Sequence, residues 1–414
     1  MPLVPVLVLL LAAALHAPAQ NLTENSTADS ESPYDQLQLI SRTMQLIRQD
    51  YVDESKTGYK DLVYSALKGM LEDLDPHSQF MEPKSFKNMQ EDTRSEFGGL
   101  GVVVTQRRGV LTVINPMEDT PGFRAGILPG DQILKINGET TEKLGLNEAV
   151  DKLRGPVGEK VTLTINRPAD GSTKDYELER VVIKVPSVKD VRILPSRQQA
   201  GPRIGYLRIT QFNEPTAPEL GTAIDKLEKQ GMDGLIVDLR HNPGGLIGSA
   251  VDVCGQFLPP NTLVVYTEGR SPSREYRTGV RNSANRRIPL VVLTNYASAS
   301  GSEIVAGALK DLDRALVIGE TTFGKGSVQS VVSLPDGSAA RLTTAKYYTP
   351  GRKPIHGHGV EPHIRATLTY DEEVALLGAR RKRDDPTQPK EVIWDPQLER
   401  AVDALEGSLQ HAKK

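Results

Sequence analysis

The apolar positions of this chain change period from one region to the next, and each change marks an element. From residue 36 to 92 they recur at helical spacing, at Leu37, Ile40, Met44, Ile47 and Tyr51 and again at Val63, Ala66, Met70, Leu71 and Leu74, which predicts amphipathic helices. IVDLRHNPGG (236–245) is a continuous apolar run that ends in a Pro-Gly-Gly turn before LIGSAVDVCGQFL; it reads as a parallel-type strand, a tight turn and an amphipathic helix. PLVVLT (289–294) reads as another buried strand, and Ile304, Val305, Ala308, Leu309 and Leu312 follow it at helical spacing. GSVQSVVSL and ARLTTAKYYT flank a turn at Asp336–Gly337 and predict a hairpin. Beyond Tyr370 the chain is charged, with RRKR at 380–383, and DPQLERAVDALEGSL predicts a final helix after a solvated linker.

At the amino terminus, MPLVPVLVLLLAAALHAPAQ holds an apolar run of about 13 residues followed by Ala17-Pro18-Ala19, a small-x-small cleavage pattern. The run is too short to cross a bilayer comfortably. It predicts a signal peptide over 1–19 and an exported protein, resident in the periplasm or cell envelope or secreted; an uncleaved anchor is the alternative. NLTENSTADSESP (21–33) is polar and reads as a flexible leader spanning 20–35. Asn21 and Asn25 begin sequons that matter only in a eukaryotic secretory route.

Composition narrows the class of partner. At 414 residues with 38% hydrophobic content the chain can hold several domains with sizeable cores. A net charge of −3, a pI near 6.2 and no basic patch interleaved with aromatics leave no footprint for nucleic acid and point to peptide as the polymer. The single cysteine, Cys254, excludes an internal disulfide and falls on the apolar face of a predicted helix, as a core residue would.

The candidate chemistry sits between Thr294 and Gln329. Ser300, in TNYASASGSEI, lies where a strand passes into a helix, and unpaired amides at a helix start can stabilise a developing oxyanion. Ser298, Ser300 and Ser302 could equally be N-cap residues. Lys325, in TTFGKGSVQ, stands between Gly324 and Gly326. A lysine serves as general base when burial lowers its pKa, and the apolar and glycine neighbours here are consistent with burial. Gln329, four residues on, would share its face on a strand and could orient the amine. The glycines of the Pro-Gly-Gly turn let backbone approach a substrate, so one oxyanion amide is assigned to Gly244 or Gly245 and the other to Gly301. His241 is the histidine near this backbone, and a Ser–His arrangement using it is the rival. His356, His358 and His363 cluster, but their spacing fits no zinc motif, so no metal is expected.

With those residues in order, the chain resembles the carboxy-terminal processing peptidases, or tail-specific proteases. LDPHSQFM (74–81), FGGLGVVV (97–104), DLRHNPGG (238–245), the serine and lysine motifs and YYTPGRKPIHGHGVEPHI all match, from about residue 36 to 370. The resemblance implies Ser300 as nucleophile, Lys325 as general base, Gln329 as the residue positioning it, and acyl-enzyme hydrolysis of peptide bonds without a cofactor. Asp311 matches an acidic position that some members count in the site; here it reads as a helix-end or ion-pair residue. Glu303 and Thr322 match further motif positions and read as support. Gly301 departs from the alanine usual in the family; it keeps the amide but loosens the helix start.

GGLG resembles the carboxylate-binding loop of PDZ domains, in which backbone amides grip a terminal carboxylate while the peptide adds to a sheet edge. ILPGDQILKING is a familiar PDZ segment, and LNEAVDKLRG would supply the helix lining the groove. Gly99, Leu100, Gly101 and Val102 are the expected contacts, for protein or peptide ends with apolar C-termini. The expected organisation is an α/β and α+β multidomain chain: N-terminal helices (36–96), a PDZ-like β domain (97–185), a mixed α/β, crotonase/ClpP-like peptidase core (186–370), and a C-terminal linker and helix (371–414). A homodimer and an adaptor or regulatory partner are left open, and the rival function is a non-catalytic peptide-binding scaffold.

Overall fold

The computed structural model describes residues 32–107, 109–195, 201–280, 283–384 and 395–412. The expected signal peptide, both sequons and most of the leader lie outside them. The chain divides into two compact units, one up to Ala66 and one from Leu67. In the first, Pro33–Asp50 is a helix that buries none of its residues, so Leu37, Leu39 and Leu46 of its apolar set stay exposed.

In the second unit, the central sheet runs Val188–Ile193, Ile204–Ile209, Gly234–Asp238, Leu290–Thr294, Leu316–Gly319, Ile364–Arg365, with the first pair antiparallel and the rest parallel. Because side chains alternate across a strand, Leu207, Leu235, Val237, Val292 and Val317 face one side with the residues of helices Thr216–Lys229, Ile247–Gly255 and Gly301–Asp311. Tyr206, Ile236, Val291, Leu293 and Ile318 face the other, where Ala401 and Leu405 of the terminal helix Pro396–Ala412 cover them. Burial on both faces explains why the strand sequences are continuously apolar instead of alternating.

A second, antiparallel sheet carries the predicted hairpin, Ser327–Ser333 against Ala339–Tyr348, flanked by Leu263–Gly269 and Arg274–Arg277. Its edge is Gln79–Met81, paired with Ala339–Arg341. Helical spacing therefore stops short of the LDPHSQFM motif: Asp75 accepts bonds from the His77 and Ser78 amides and the Ser78 hydroxyl, and this Asx-type turn starts a strand. The charged stretch after Tyr370 also differs from a solvated linker. Tyr370–Asp384 is helical, and Arg380, first of the RRKR run, is buried.

The PDZ segment has its own core of Leu100, Leu111, Val113, Ile127, Ile133, Leu163 and Ile165 beneath the antiparallel strands Val102–Arg107, Val110–Pro116, Gln132–Ile136, Lys160–Arg167 and Ser172–Glu179, with Leu146–Leu153 as its helix. Glu96–Gly99 and Val181–Lys184 pair where the segment leaves and rejoins the core.

Candidate active site

Ser300 is the N-cap of helix Gly301–Asp311, held at φ 53° and ψ −112°, a conformation that L-residues rarely adopt. A strained backbone persists only where its surroundings over-determine it. Here the determinant is Glu303, a fully buried carboxylate that accepts four hydrogen bonds. Its Oε2 takes the Ser300 amide at 2.8 Å and the Lys325 amide at 2.9 Å; its Oε1 takes the Gly324 amide and the Thr322 hydroxyl, both at 2.6 Å. One side chain thus fixes the backbone of the serine and of the lysine together. Burial pushes the Glu303 pKa up, against those four bonds that favour the carboxylate.

Lys325 precedes strand Ser327–Ser333 and is half-buried. Burial lowers its pKa from the usual lysine value, Arg341 lowers it further, and Glu303 opposes both. His77 lies close enough to Lys325 that, after burial, the lysine charge is the next cause lowering the histidine's own pKa. Among the described residues no hydrogen bond joins Ser300 Oγ directly to Lys325 Nζ. Tyr347 links the serine to the lysine backbone instead: its buried phenol donates to the Lys325 carbonyl, and burial pushes its pKa up, opposed by a hydrogen bond with Ser300. In the sequence Tyr347 has no role of its own, being part of a predicted strand and of the closing family signature; strand alternation, which turns Tyr347 inward and leaves Tyr348 stacked on Tyr266, was the available signal.

The backbone amides of Gly301, next after Ser300, and of Gly245, whose nitrogen would lie 3.5 Å from a Cβ on Gly301, find no acceptor among the described residues. Gly244 does not offer one, because its amide donates to Asn242 Oδ1 at 2.8 Å. Gly244 and Gly245 are held at φ +103° and +146°; a Cβ on the first would lie 2.6 Å from Ser300 Cβ and on the second 2.1 Å from the Phe212 carbonyl oxygen. Only glycine allows this approach. Gly301 has a local reason as well: a Cβ there would meet the buried Phe212 ring at 2.9 Å.

Gln329 is turned elsewhere, its Nε2 on the Ser327 hydroxyl at 2.9 Å and 3.5 Å from Thr343 Oγ1. The strand begins only at Ser327, so its alternation does not reach back to Lys325, and the register shift beside Gln329 comes from Thr344, the extra residue on the partner strand. His241 packs away from Ser300, with Nε2 3.0 Å from Asn295 Nδ2 and 3.4 Å from Glu373 and its ring edge-on to Tyr296. Asp311 bonds Lys353 at 3.2 Å and the Gly351 amide at 3.0 Å, tying the helix end to the following loop. His363 accepts the Val317 amide.

Beneath the Gly244–Gly245 turn lies a buried ion cluster: Asp238 binds Arg240, Arg380 and the Tyr206 hydroxyl, and Arg240 also binds Asp395. Burial would raise the Asp238 pKa, but the two guanidinium groups outweigh it and hold the carboxyl well below its usual range. In the PDZ loop, Leu100 buries its side chain, and the amides of Leu100 and Gly101 find no acceptor among the described residues. Gly99 ends one strand and Val102 begins another that runs beside helix Leu146–Leu153.

The sequence matches peptidase family S41 over residues 203–366 and the PDZ domain family over 112–167. It is 38% identical to the carboxy-terminal-processing protease of Bartonella bacilliformis, covering 97% of this chain and 95% of that protein. The chain belongs to the carboxy-terminal processing proteases. It is also 37% identical to the carboxy-terminal processing protease CtpA of Bacillus subtilis, over 86% of this chain and 74% of the relative. Among solved structures it resembles a photosystem II D1 C-terminal processing protease, at 29% identity and a TM-score of 0.46 over 86% of this chain and 99% of that one. The protease is a serine-type endopeptidase with a PDZ domain, which removes the scaffold alternative.

Proposed function

We propose that this protease is exported and cleaves protein substrates whose apolar C-terminal ends its PDZ domain holds. Ser300 attacks the scissile carbonyl, Lys325 in its neutral form takes the hydroxyl proton, and the amides of Gly245 and Gly301 hold the oxyanion. The ammonium gives that proton to the departing amine; water then attacks the acyl-enzyme, its proton passing to the neutral lysine and back to Ser300 Oγ as the acid product leaves. The observation that carries the reading is the Glu303 carboxylate, which binds the Ser300 and Lys325 backbones at once. Depression of the Lys325 pKa by burial supports the base role. Gln329 turns to Lys325 in the substrate complex, since catalytic bonds often tighten only there.

For the PDZ domain, the amides of Leu100 and Gly101 take the terminal carboxylate, with Gly99 and Val102 completing the loop, and the half-buried Val102 and Val104 supply apolar contact. The exposed apolar positions of helix Pro33–Asp50 suit a second copy of the chain as partner. A regulatory partner or adaptor acting at the PDZ groove belongs to the same reading.

Ser300→Ala and Lys325→Ala should each abolish cleavage of an unstructured peptide with an apolar C-terminus while leaving its binding intact. Labelling by a serine-reactive phosphonate should be lost in the Ser300 variant. Retained cleavage in either variant overturns the assignment. Amino-terminal sequencing of the mature protein from fractionated cells tests export and removal of residues 1–19.

A further inference from the structure

Within its own sequence the turn carrying the Gly245 amide is held by Pro243 and by Asn242, whose side chain binds the Gly244 amide at 2.8 Å and the Ile209 carbonyl at 2.9 Å; at its start it is held from outside. It begins with His241 in the left-handed region at φ 60° and continues through glycines, a combination that costs conformational freedom to hold. Its anchor is Arg240, 2% exposed and immediately before it. The guanidinium is gripped from two sides. On one, Nε and Nη2 meet Asp238 at 3.0 and 2.7 Å; on the other, Nη1 and Nη2 meet Asp395 at 2.9 and 2.8 Å, and Nη1 also meets Gln397 Oε1 at 2.9 Å. Forked pairing on both edges leaves a planar guanidinium little freedom to shift.

Asp238 is local to the turn, but Asp395 and Gln397 come from the far end of the chain. Asp395 is the residue before helix Pro396–Ala412, and its Oδ1 also accepts the Leu398 amide at 3.0 Å, so one carboxylate both starts that helix and holds Arg240. Gln397 is fixed in turn by the Ala366 carbonyl at 2.8 Å. Helix Tyr370–Asp384 adds Arg380 on Asp238 at 2.7 Å and Glu373 beside His241 at 3.4 Å. From Arg240 the path to the serine is short: Asn242 Oδ1 orders the Gly244 amide, and the Asn242 carbonyl accepts the Ala299 amide at 3.0 Å and the Ser302 hydroxyl at 2.9 Å.

We infer that Asp395, with Gln397, is a positioning residue for catalysis: through Arg240 the terminal helix sets the Gly245 amide against Ser300. The inference rests on the oxyanion role of Gly245 proposed above. Asp395 touches no reacting atom, and its effect falls on the transition state, where the oxyanion develops, more than on peptide binding, which belongs to the PDZ groove.

The test measures kcat and KM of the full chain on an internally quenched peptide ending in Leu-Ala, well below each variant's melting midpoint. Losing an oxyanion donor costs about 10²–10³-fold in rate, so Asp395→Asn, which loosens one, should lower kcat by about tenfold or more with KM nearly unchanged. Asp395→Asn also leaves the cluster with one excess positive charge. The double variant Asp395→Asn with Arg380→Gln restores charge balance, so it should recover melting midpoint but not kcat, and it carries the test if the single variant fails to fold. Wild-type kcat in Asp395→Asn, or recovery of kcat together with stability in the double variant, overturns the inference. Ser300→Ala run alongside separates the two levels: if it still cleaves, the Ser–Lys reading has failed; if it is inactive while Asp395→Asn matches wild type, only the positioning role has failed.

Discussion

Replacing Glu303 tests the site at its most constrained point, because the two oxygens of that carboxylate serve different partners. Glutamine puts an NH₂ in place of one oxygen. With nitrogen at the Oε2 position, the Ser300 and Lys325 amides, at 2.8 and 2.9 Å, would both face a donor and be orphaned. With nitrogen at the Oε1 position, the Thr322 oxygen, which already takes the Val360 amide at 2.7 Å, can accept the new N–H as well, so the Gly324 amide is stranded and the hydroxyl proton must turn away. An unsatisfied buried donor costs about 1–3 kcal/mol, so the second orientation prevails and Glu303→Gln should lose about that much stability. It still ties the serine to the lysine, so cleavage should be reduced and measurable. Glu303→Ala strands all four donors in a closed space; water can relieve some, but a loss on the order of 4 kcal/mol and abolished cleavage are expected. Denaturant titration and kcat on the quenched peptide read both quantities. Equal activity in the two variants, or Glu303→Gln as stable as wild type, would refute the argument that the carboxylate acts as a two-sided clamp.

Further outcomes follow from the surroundings of Lys325 and the glycine turn. A lysine whose folded pKa is depressed binds its proton less readily than in the unfolded chain, so its burial weakens the fold at neutral pH, and that deficit vanishes as pH rises past the unfolded value of about 10.5. Lys325→Met should therefore melt higher than wild type at pH 7, with the gap closing toward pH 10 or so, while being inactive. Arg341 contributes to the same depression, so Arg341→Gln should raise the Lys325 pKa and move the acidic limb of the kcat/KM profile to higher pH; an unmoved or downward-shifted limb would contradict it. Gly245→Ala brings a Cβ to 2.1 Å from the Phe212 carbonyl and should cost more than about 2 kcal/mol along with activity, seen by thermal melting and peptide assay.

Apolar periodicity made the parallel strands and the helix after Ser300 legible, because they are buried and composition records burial, whereas the hairpin, whose strands run out to exposed residues, was legible from its Asp336–Gly337 turn. The gathering of Ser300, Lys325 and the Gly-Gly turn was legible only through residue types suited to the chemistry. What escaped depended on tertiary contact. The Gln79–Met81 strand is too short for a period and exists because Ala339–Arg341 offers it an edge. The start of the strand at Ser327, which leaves Lys325 outside the alternation that holds Gln329, leaves no compositional trace. Arg380 read as a solvated charge because a cation is buried only when counter-ions await it, and those counter-ions are Asp238 and, through Arg240, Asp395. Between Gly244 and Gly245 no local rule chose; the Asn242 side chain decided, by occupying one amide and leaving the other.

Arg240 and Asp395 stand 155 positions apart in the chain. A ribosome moving from the amino terminus has made Ser300, Lys325 and the glycine turn well before it adds the carboxylate that clasps the arginine. On the proposed role for that carboxylate, full hydrolytic rate waits on a residue made after the whole catalytic set, so a nascent chain that already carries its nucleophile is still a slow hydrolase.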